Sequence, residues 1–238
     1  MVYVIKKGCI LIMTISLFSG QGSQYVGMGK DFAEVPALRS IIDKGSEILE
    51  RDLMAVLTEL PQEELSLTIN AQPAIMTVSL MALEGAKQKG FAFDGVAGHS
   101  LGEYAAMQAS GMITLEDAFR LIKARAEAMD ESARTTKGTM SAIMKIAPET
   151  VAEVCEKAKN YVSAVNYNSP VQTVIAGTPE GVAEVSEIFK EMKGRVIPLS
   201  VAGAFHSKLM QKASEKFYET AKTITFKKPE VKYYSNVT

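Results

Sequence analysis

The chain has 238 residues, with 26 lysines and arginines set against 27 aspartates and glutamates, and its 47% hydrophobic content is ordinary for a globular protein with one large or two modest cores. A formal net charge of −1 without a sustained basic stripe argues against nucleic acid as a partner. The two cysteines, Cys9 and Cys155, lie far apart with no Cys/His cluster around them, which argues against a disulfide framework or a metal site and for a reducing, cytoplasmic setting.

At the N-terminus, Lys6 and Lys7 precede the apolar run Cys9-Ile10-Leu11-Ile12-Met13, an arrangement that resembles a signal peptide. The run is too short and no small-residue cleavage site follows. Residues 1–12 are therefore expected to be a strand extension or a leader from an upstream start codon, with Met13 the original start. No segment is long enough to span a membrane.

A buried first strand is expected over 14–18, stopped by the glycine-rich Gly20-Gln21-Gly22. Apolar residues at three- and four-residue spacing predict helix from about 32 to 60. A second helix is predicted over 72–89, with Pro73 tolerated in its first turn. The apolar strand Val96-Ala97-Gly98 follows, then a short helix to Ser110. Thr114-Leu115-Glu116-Asp117 is a capping-box pattern that opens a helix running past Met129.

From Thr139 the pattern changes to strand 140–146, helix 148–159, strands 161–166 and 171–176, helix 179–192 and strand 195–199. That order, β-α-β-β-α-β, is the ferredoxin-like arrangement. It predicts a small subdomain over 139–199 inserted into a larger α/β domain made of 13–138 and 200–238. After the insert, His206 is expected to open a helix to about Ala221, and 231–234 reads as a returning strand.

The chemistry centres on Gly98-His99-Ser100-Leu101-Gly102, which places a serine between two glycines where a strand meets a helix. A sharp strand-to-helix turn needs small neighbours, and it leaves the hydroxyl at a helix N-terminus, where N–H groups favour negative charge. Acyl transfer through a serine ester is the chemistry such an elbow suits. Glycines flanking a serine also occur in plain tight turns, so the rest of the chain must supply the base. Of the two histidines, His99 adjoins the serine and points elsewhere in such a turn. His206, in Gly203-Ala204-Phe205-His206-Ser207 at the seam of the predicted insert, is the remaining candidate.

Phe18-Ser19-Gly20-Gln21-Gly22-Ser23-Gln24, Gln72-Pro73-Ala74, Gly98-His99-Ser100-Leu101-Gly102-Glu103-Tyr104, Arg125 with Met129, Asn168-Ser169-Pro170-Val171-Gln172 and Phe205-His206-Ser207 stand in the order and approximate spacing of one family. From Met13 to Thr238 the chain resembles the malonyl-CoA:acyl carrier protein transacylases. The resemblance implies a hydrolase-like α/β domain carrying a ferredoxin-like insert, in agreement with the element order. It implies a cytoplasmic enzyme of fatty-acid synthesis in which Ser100 is acylated by malonyl-CoA and His206 acts as base and then as acid. It further implies an oxyanion hole from the N–H groups of Gln21 and Leu101, with acyl carrier protein as acceptor and no metal or redox cofactor.

Arg125 would hold the free malonyl carboxylate, since a guanidinium binds a carboxylate through two charged hydrogen bonds. On an unassigned helix, an arginine beside Lys123 and Glu127 would instead read as a solvated face. Phe205 would limit room for a branched acyl group, and Asn168, with Asn166, would line the cleft unless both are turn residues. Ser19 departs from the proline usual in the family. Relatives also continue beyond 233–238 into helices that include a glutamine orienting the histidine, so the chain is expected to be a fragment. A trans-acting polyketide acyltransferase, an acyl-thioester hydrolase and a non-catalytic CoA- or carrier-binding chain are the alternatives.

Overall fold

The first half of the chain is mostly helical, and its strands are short. The computed structural model describes residues 2–6 and 9–237. In chain order these residues form β1 (Val2–Lys6), β2 (Cys9–Met13), β3 (Ile15–Phe18), α1 (Lys30–Ala33), α2 (Pro36–Leu49), α3 (Leu53–Thr58), α4 (Gln62–Leu65), α5 (Thr68–Gln88), β4 (Gly95–Gly98), α6 (Gly102–Ala109) and α7 (Leu115–Thr135). They continue with β5 (Thr139–Met144), α8 (Pro148–Glu156), β6 (Val162–Ser169), β7 (Gln172–Gly177), α9 (Pro179–Glu191), β8 (Arg195–Pro198), a 3-10 turn (Lys208–Met210), α10 (Gln211–Ala221) and β9 (Lys232–Tyr234). Packing divides the chain into two units, Met1–Ala126 with Phe217–Thr238, and Glu127–Lys216.

In the first unit, β3, β4 and β9 form a parallel sheet with β4 in the middle, Phe18 opposite Gly98 and Ala97 opposite Tyr234. Parallel neighbours so far apart in sequence require crossovers, and helices supply them. The core packs Ile42, Leu53, Leu57, Met76, Met81, Phe119 and Ile122 around Val96 of the central strand. At the N-terminus, β1 and β2 pair antiparallel, with residues 7 and 8 outside the described set.

Two expectations for this half are corrected. The helix expected over 32–60 is three helices, α1, α2 and α3. Pro36 starts α2, and Glu50, at φ 54, ends it by returning its N–H to the Ser46 and Glu47 carbonyls. Asp52 then caps α3 by accepting the Ala55 N–H at 3.1 Å. The apolar spacing runs through these breaks because all three helices face one core, so periodicity alone could not show them.

The helix expected from Gln72 begins at Thr68, which puts Pro73 in its second turn. A proline there has no N–H for the carbonyl four residues back. That carbonyl, of Ile69, is met instead by Nη1 of Arg51 at 3.4 Å, while Nη2 of Arg51 donates to Asn70 at 2.6 Å.

In the second unit, four antiparallel strands lie in the order β6-β7-β5-β8, with α8 and α9 as the two connections of a β-α-β-β-α-β chain. Ile143, Val162, Ile175, Val182 and Phe189 fill the core between sheet and helices. Thr178 caps α9 by accepting the Gly181 N–H at 3.1 Å. The fold is thus the expected α/β class, a hydrolase-like parallel-sheet domain with a ferredoxin-like subdomain.

Candidate active site

The turn at Ser100 is built by close approach of backbone to backbone. A Cβ on Gly98 would lie 2.1 Å from the Gly102 carbonyl carbon, and one on Gly102 would lie 2.4 Å from the Phe18 oxygen. No side chain fits at either position, so the spacing of the two glycines is dictated by the fold. Ser100 itself has φ 53, in the left-handed region that costs an ordinary residue roughly 1–2 kcal/mol. The geometry is a nucleophile elbow, with α6 starting two residues later.

The loop after β3 lies against this turn. A Cβ on Gly20 would come within 2.8 Å of the His99 oxygen, and the His99 N–H donates to Phe18 at 2.9 Å. The loop is fixed by Ser23 Oγ donating to the Gly20 carbonyl at 2.9 Å and by Gln21 Nε2 donating to Thr68 Oγ1 at 3.4 Å. The backbone N–H groups of Gln21 and Leu101 donate to no acceptor among the described residues. Two such donors on adjoining loops are what an oxyanion needs.

Arg125, on α7, donates from Nη2 to Ser100 Oγ at 2.9 Å and from Nη1 to Oε1 of the buried Gln72 at 2.6 Å. Its guanidinium stands 5.6 Å from the centre of the Tyr104 ring. Burial pushes the Arg125 pKa below its ordinary value, and the same burial pushes the Tyr104 phenol up. Among the described residues no carboxylate forms an ion pair with Arg125. Its neighbour Lys123 does have one, Glu50 at 3.1 Å. Lys123 is thus paired with a carboxylate, while Arg125 is a half-buried cation held by neutral partners, an environment that favours an anionic ligand.

Asn236, which the sequence reading did not single out, accepts the Ser100 N–H at 2.9 Å and donates from Nδ2 to the Gly98 carbonyl at 2.5 Å. Glu103 Oε1 in turn accepts from Tyr233 Oη at 2.6 Å, Ser235 Oγ at 3.1 Å and the Asn236 N–H at 3.0 Å. Burial, reinforced by the Glu103 carboxylate, holds the Tyr233 phenol above its usual range. No local signal could have found these partners, since Asn236 lies 136 residues from Ser100.

The remaining expected residues belong to the second unit. His206 is exposed, with φ 61, in a tight turn. It does not itself open the helix, which is a correction: Ser207 caps the 3-10 turn by accepting the Leu209 N–H at 3.2 Å, and α10 follows. A hydroxyl there satisfies the first free N–H, which an imidazole in the left-handed region could not. Phe205 is buried with Met140, Ala176 and Met210. Asn168 lies in β6, beside a register shift, and donates to Gln172 Oε1 at 3.0 Å. Among the described residues no three His, Cys, Asp or Glu side chains gather to hold a metal.

Residues 16–238 match the family model of the acyl transferase domain. The malonyl CoA-acyl carrier protein transacylase of Bacillus subtilis (strain 168) is 43% identical over 226 residues, spanning 93% of this chain and 71% of that protein. The crystal structure of an acyl-carrier-protein S-malonyltransferase from Burkholderia pseudomallei 1710b matches with a TM-score of 0.87 at 39% identity, covering 93% of this chain and 74% of that one. A malonyl-transacylase solved in complex with its type II PKS acyl-carrier protein matches with a TM-score of 0.88 at 35% identity, over 94% and 74% of the two chains.

Proposed function

Because this chain belongs to the acyl transferase domain family, we propose that it moves a malonyl group from malonyl-CoA to the phosphopantetheine thiol of an acyl carrier protein, for fatty-acid synthesis. The observation that carries the reading is the bond from Arg125 Nη2 to Ser100 Oγ. In a malonyl thioester the carboxylate carbon is separated from the reacting carbonyl by one methylene. A guanidinium within hydrogen-bond reach of the nucleophile suits that short diacid, and acetyl would leave it without an anion.

The proposed steps balance as a two-stage exchange. Ser100 Oγ attacks the thioester carbon while His206 takes the hydroxyl proton, and the N–H groups of Gln21 and Leu101 receive the developing oxyanion. The C–S bond breaks, and CoA leaves as a thiol with the proton from His206. The carrier thiol then gives its proton to His206 and attacks the ester, and Ser100 recovers its hydrogen. No oxidation state changes, and nucleophile, base and oxyanion donors suffice, so the reading invokes no metal or redox cofactor.

Phe205 is assigned to excluding branched acyl groups and Asn168 to contacting the thioester. The small subdomain is assigned to 139–199 and the large domain to 13–138 with 200–238. A cytoplasmic location accords with the described helices, none of which is long and apolar enough to cross a membrane.

Intact-mass spectrometry after brief exposure to malonyl-CoA or acetyl-CoA tests the reading. A malonyl adduct on the wild type, absent from Ser100→Ala and much reduced in Arg125→Ala, is expected. A folded wild type that takes no adduct, or takes acetyl as readily as malonyl, overturns it.

A further inference from the structure

The side-chain amide of Asn236 extends the sheet one step beyond its last backbone pair. The β4–β9 ladder ends at Ala97 opposite Tyr234, and the next groups on the β4 side are the Gly98 carbonyl and the Ser100 N–H. One primary amide meets both, donating to the first at 2.5 Å and accepting from the second at 2.9 Å. The amide therefore spans the residue between them, bridging the turn from its entry to the strained serine.

Ser100 occupies the left-handed region at φ 53, a conformation that persists only where surrounding contacts impose it. Both contacts lie on the N-terminal side of the Ser100 Cα and fix the peptide that enters it, while α6, tied to Asn236 through Glu103, fixes the chain that leaves it, so the rotation about the Ser100 N–Cα bond that would relax that angle is restrained from both ends. The same contact commits the Ser100 N–H to Asn236. At the elbow this leaves the Leu101 N–H, which has no acceptor among the described residues, as the donor open to an acyl oxygen. Asn236 is itself held, because Glu103 Oε1 accepts its backbone N–H at 3.0 Å and also binds Ser235 and Tyr233. Glu103 stands on the first turn of α6, so the nucleophile, the helix behind it and the chain after β9 are joined in one hydrogen-bonded loop.

We propose that Asn236, anchored by Glu103, is a positioning residue that imposes the strained conformation of Ser100 and selects Leu101 as the elbow's oxyanion donor. The inference rests on the acyl-enzyme reading above.

The test measures single-turnover acylation by malonyl-CoA in wild type, Asn236→Ala and Asn236→Asp, with thermal unfolding alongside. Asn236→Ala is expected to slow acylation by about 100-fold, the lower range for loss of an oxyanion donor, with the KM for malonyl-CoA within about twofold. Asn236→Asp keeps the size and the acceptor but, ionised, has no proton for the Gly98 carbonyl. Its rate relative to wild type is expected to rise at least about threefold as pH falls from about 8 to about 5, because the growing fraction of neutral carboxyl can donate again. Ionisations common to both proteins divide out of that ratio.

A merely structural role predicts a pH-independent ratio. A flat ratio, or an Asn236→Ala protein that acylates within twofold of wild type, overturns the proposal. If Asn236→Ala fails to fold, the Asp ratio decides alone. Should the folded wild type take no malonyl, the acyl-enzyme reading is what has failed.

Discussion

Arg125 shares its guanidinium between the elbow hydroxyl, Ser100 Oγ at 2.9 Å, and a buried neutral amide, Gln72 Oε1 at 2.6 Å. With Ser100 as the proposed nucleophile, a cation this close to its oxygen couples substrate choice to the chemical step.

Replacing Arg125 with Ala is expected to lower kcat/KM for malonyl-CoA by about 10²- to 10⁴-fold, the factor that corresponds to roughly 3–5 kcal/mol for a broken buried charge pair. Acylation by acetyl-CoA, which has no carboxylate to lose, should change far less. Arg125→Lys should also discriminate poorly, since an ammonium lacks the planar fork that binds two oxygens at once. Rates with the two thioesters, measured side by side, give the selectivity directly.

Gln72 should behave as the support of that cation. Gln72→Ala removes the acceptor of Nη1 within the core, and a hydrogen bond to a charged group contributes roughly 1.5–3 kcal/mol. The expected result is at least a tenfold loss of malonyl-over-acetyl selectivity together with a lower Tm. Unchanged selectivity would show that Arg125 holds its position without it.

The glycines of the elbow differ in kind from a glycine in a helix. In Gly98→Ala the new Cβ would lie 2.1 Å from backbone that cannot yield, so the change is expected to cost on the order of 3 kcal/mol or more and to abolish acylation. In Gly85→Ala, within α5, the new Cβ meets only Leu38 Cδ1 at 3.4 Å. Better helix propensity should then stabilise the protein by up to about 1 kcal/mol. Urea unfolding of the two variants checks both signs.

Cys155, buried on α8, has its thiol pushed up to about 12, chiefly by burial and secondly by Glu156. Above the ordinary thiol pKa of 9.0 the unfolded chain loses this proton before the folded chain does. Its contribution to stability is therefore complete below about pH 9 and is lost as pH rises towards about 12. Denaturant midpoints measured from pH 8 to pH 11 should fall more steeply for wild type than for Cys155→Ala. Parallel slopes would count against this assignment.

What the sequence could establish about this protein was whatever short-range patterns encode. The Gly98–Gly102 elbow, the strand-helix order of the ferredoxin-like subdomain and the Thr114 cap, whose hydroxyl accepts the Asp117 N–H at 3.1 Å, each rest on residues within a few positions of one another. The breaks at Glu50 and Asp52 were missed because apolar spacing records which face is buried, not whether the backbone is continuous. Only the tertiary structure decided that Arg125 meets Gln72 and Ser100 while Lys123 reaches Glu50, because two residues on one helix differ in fate according to what packs opposite. Only it brought Asn236 to Ser100, since a hydrogen bond between residues 136 positions apart leaves no periodicity and no motif to read.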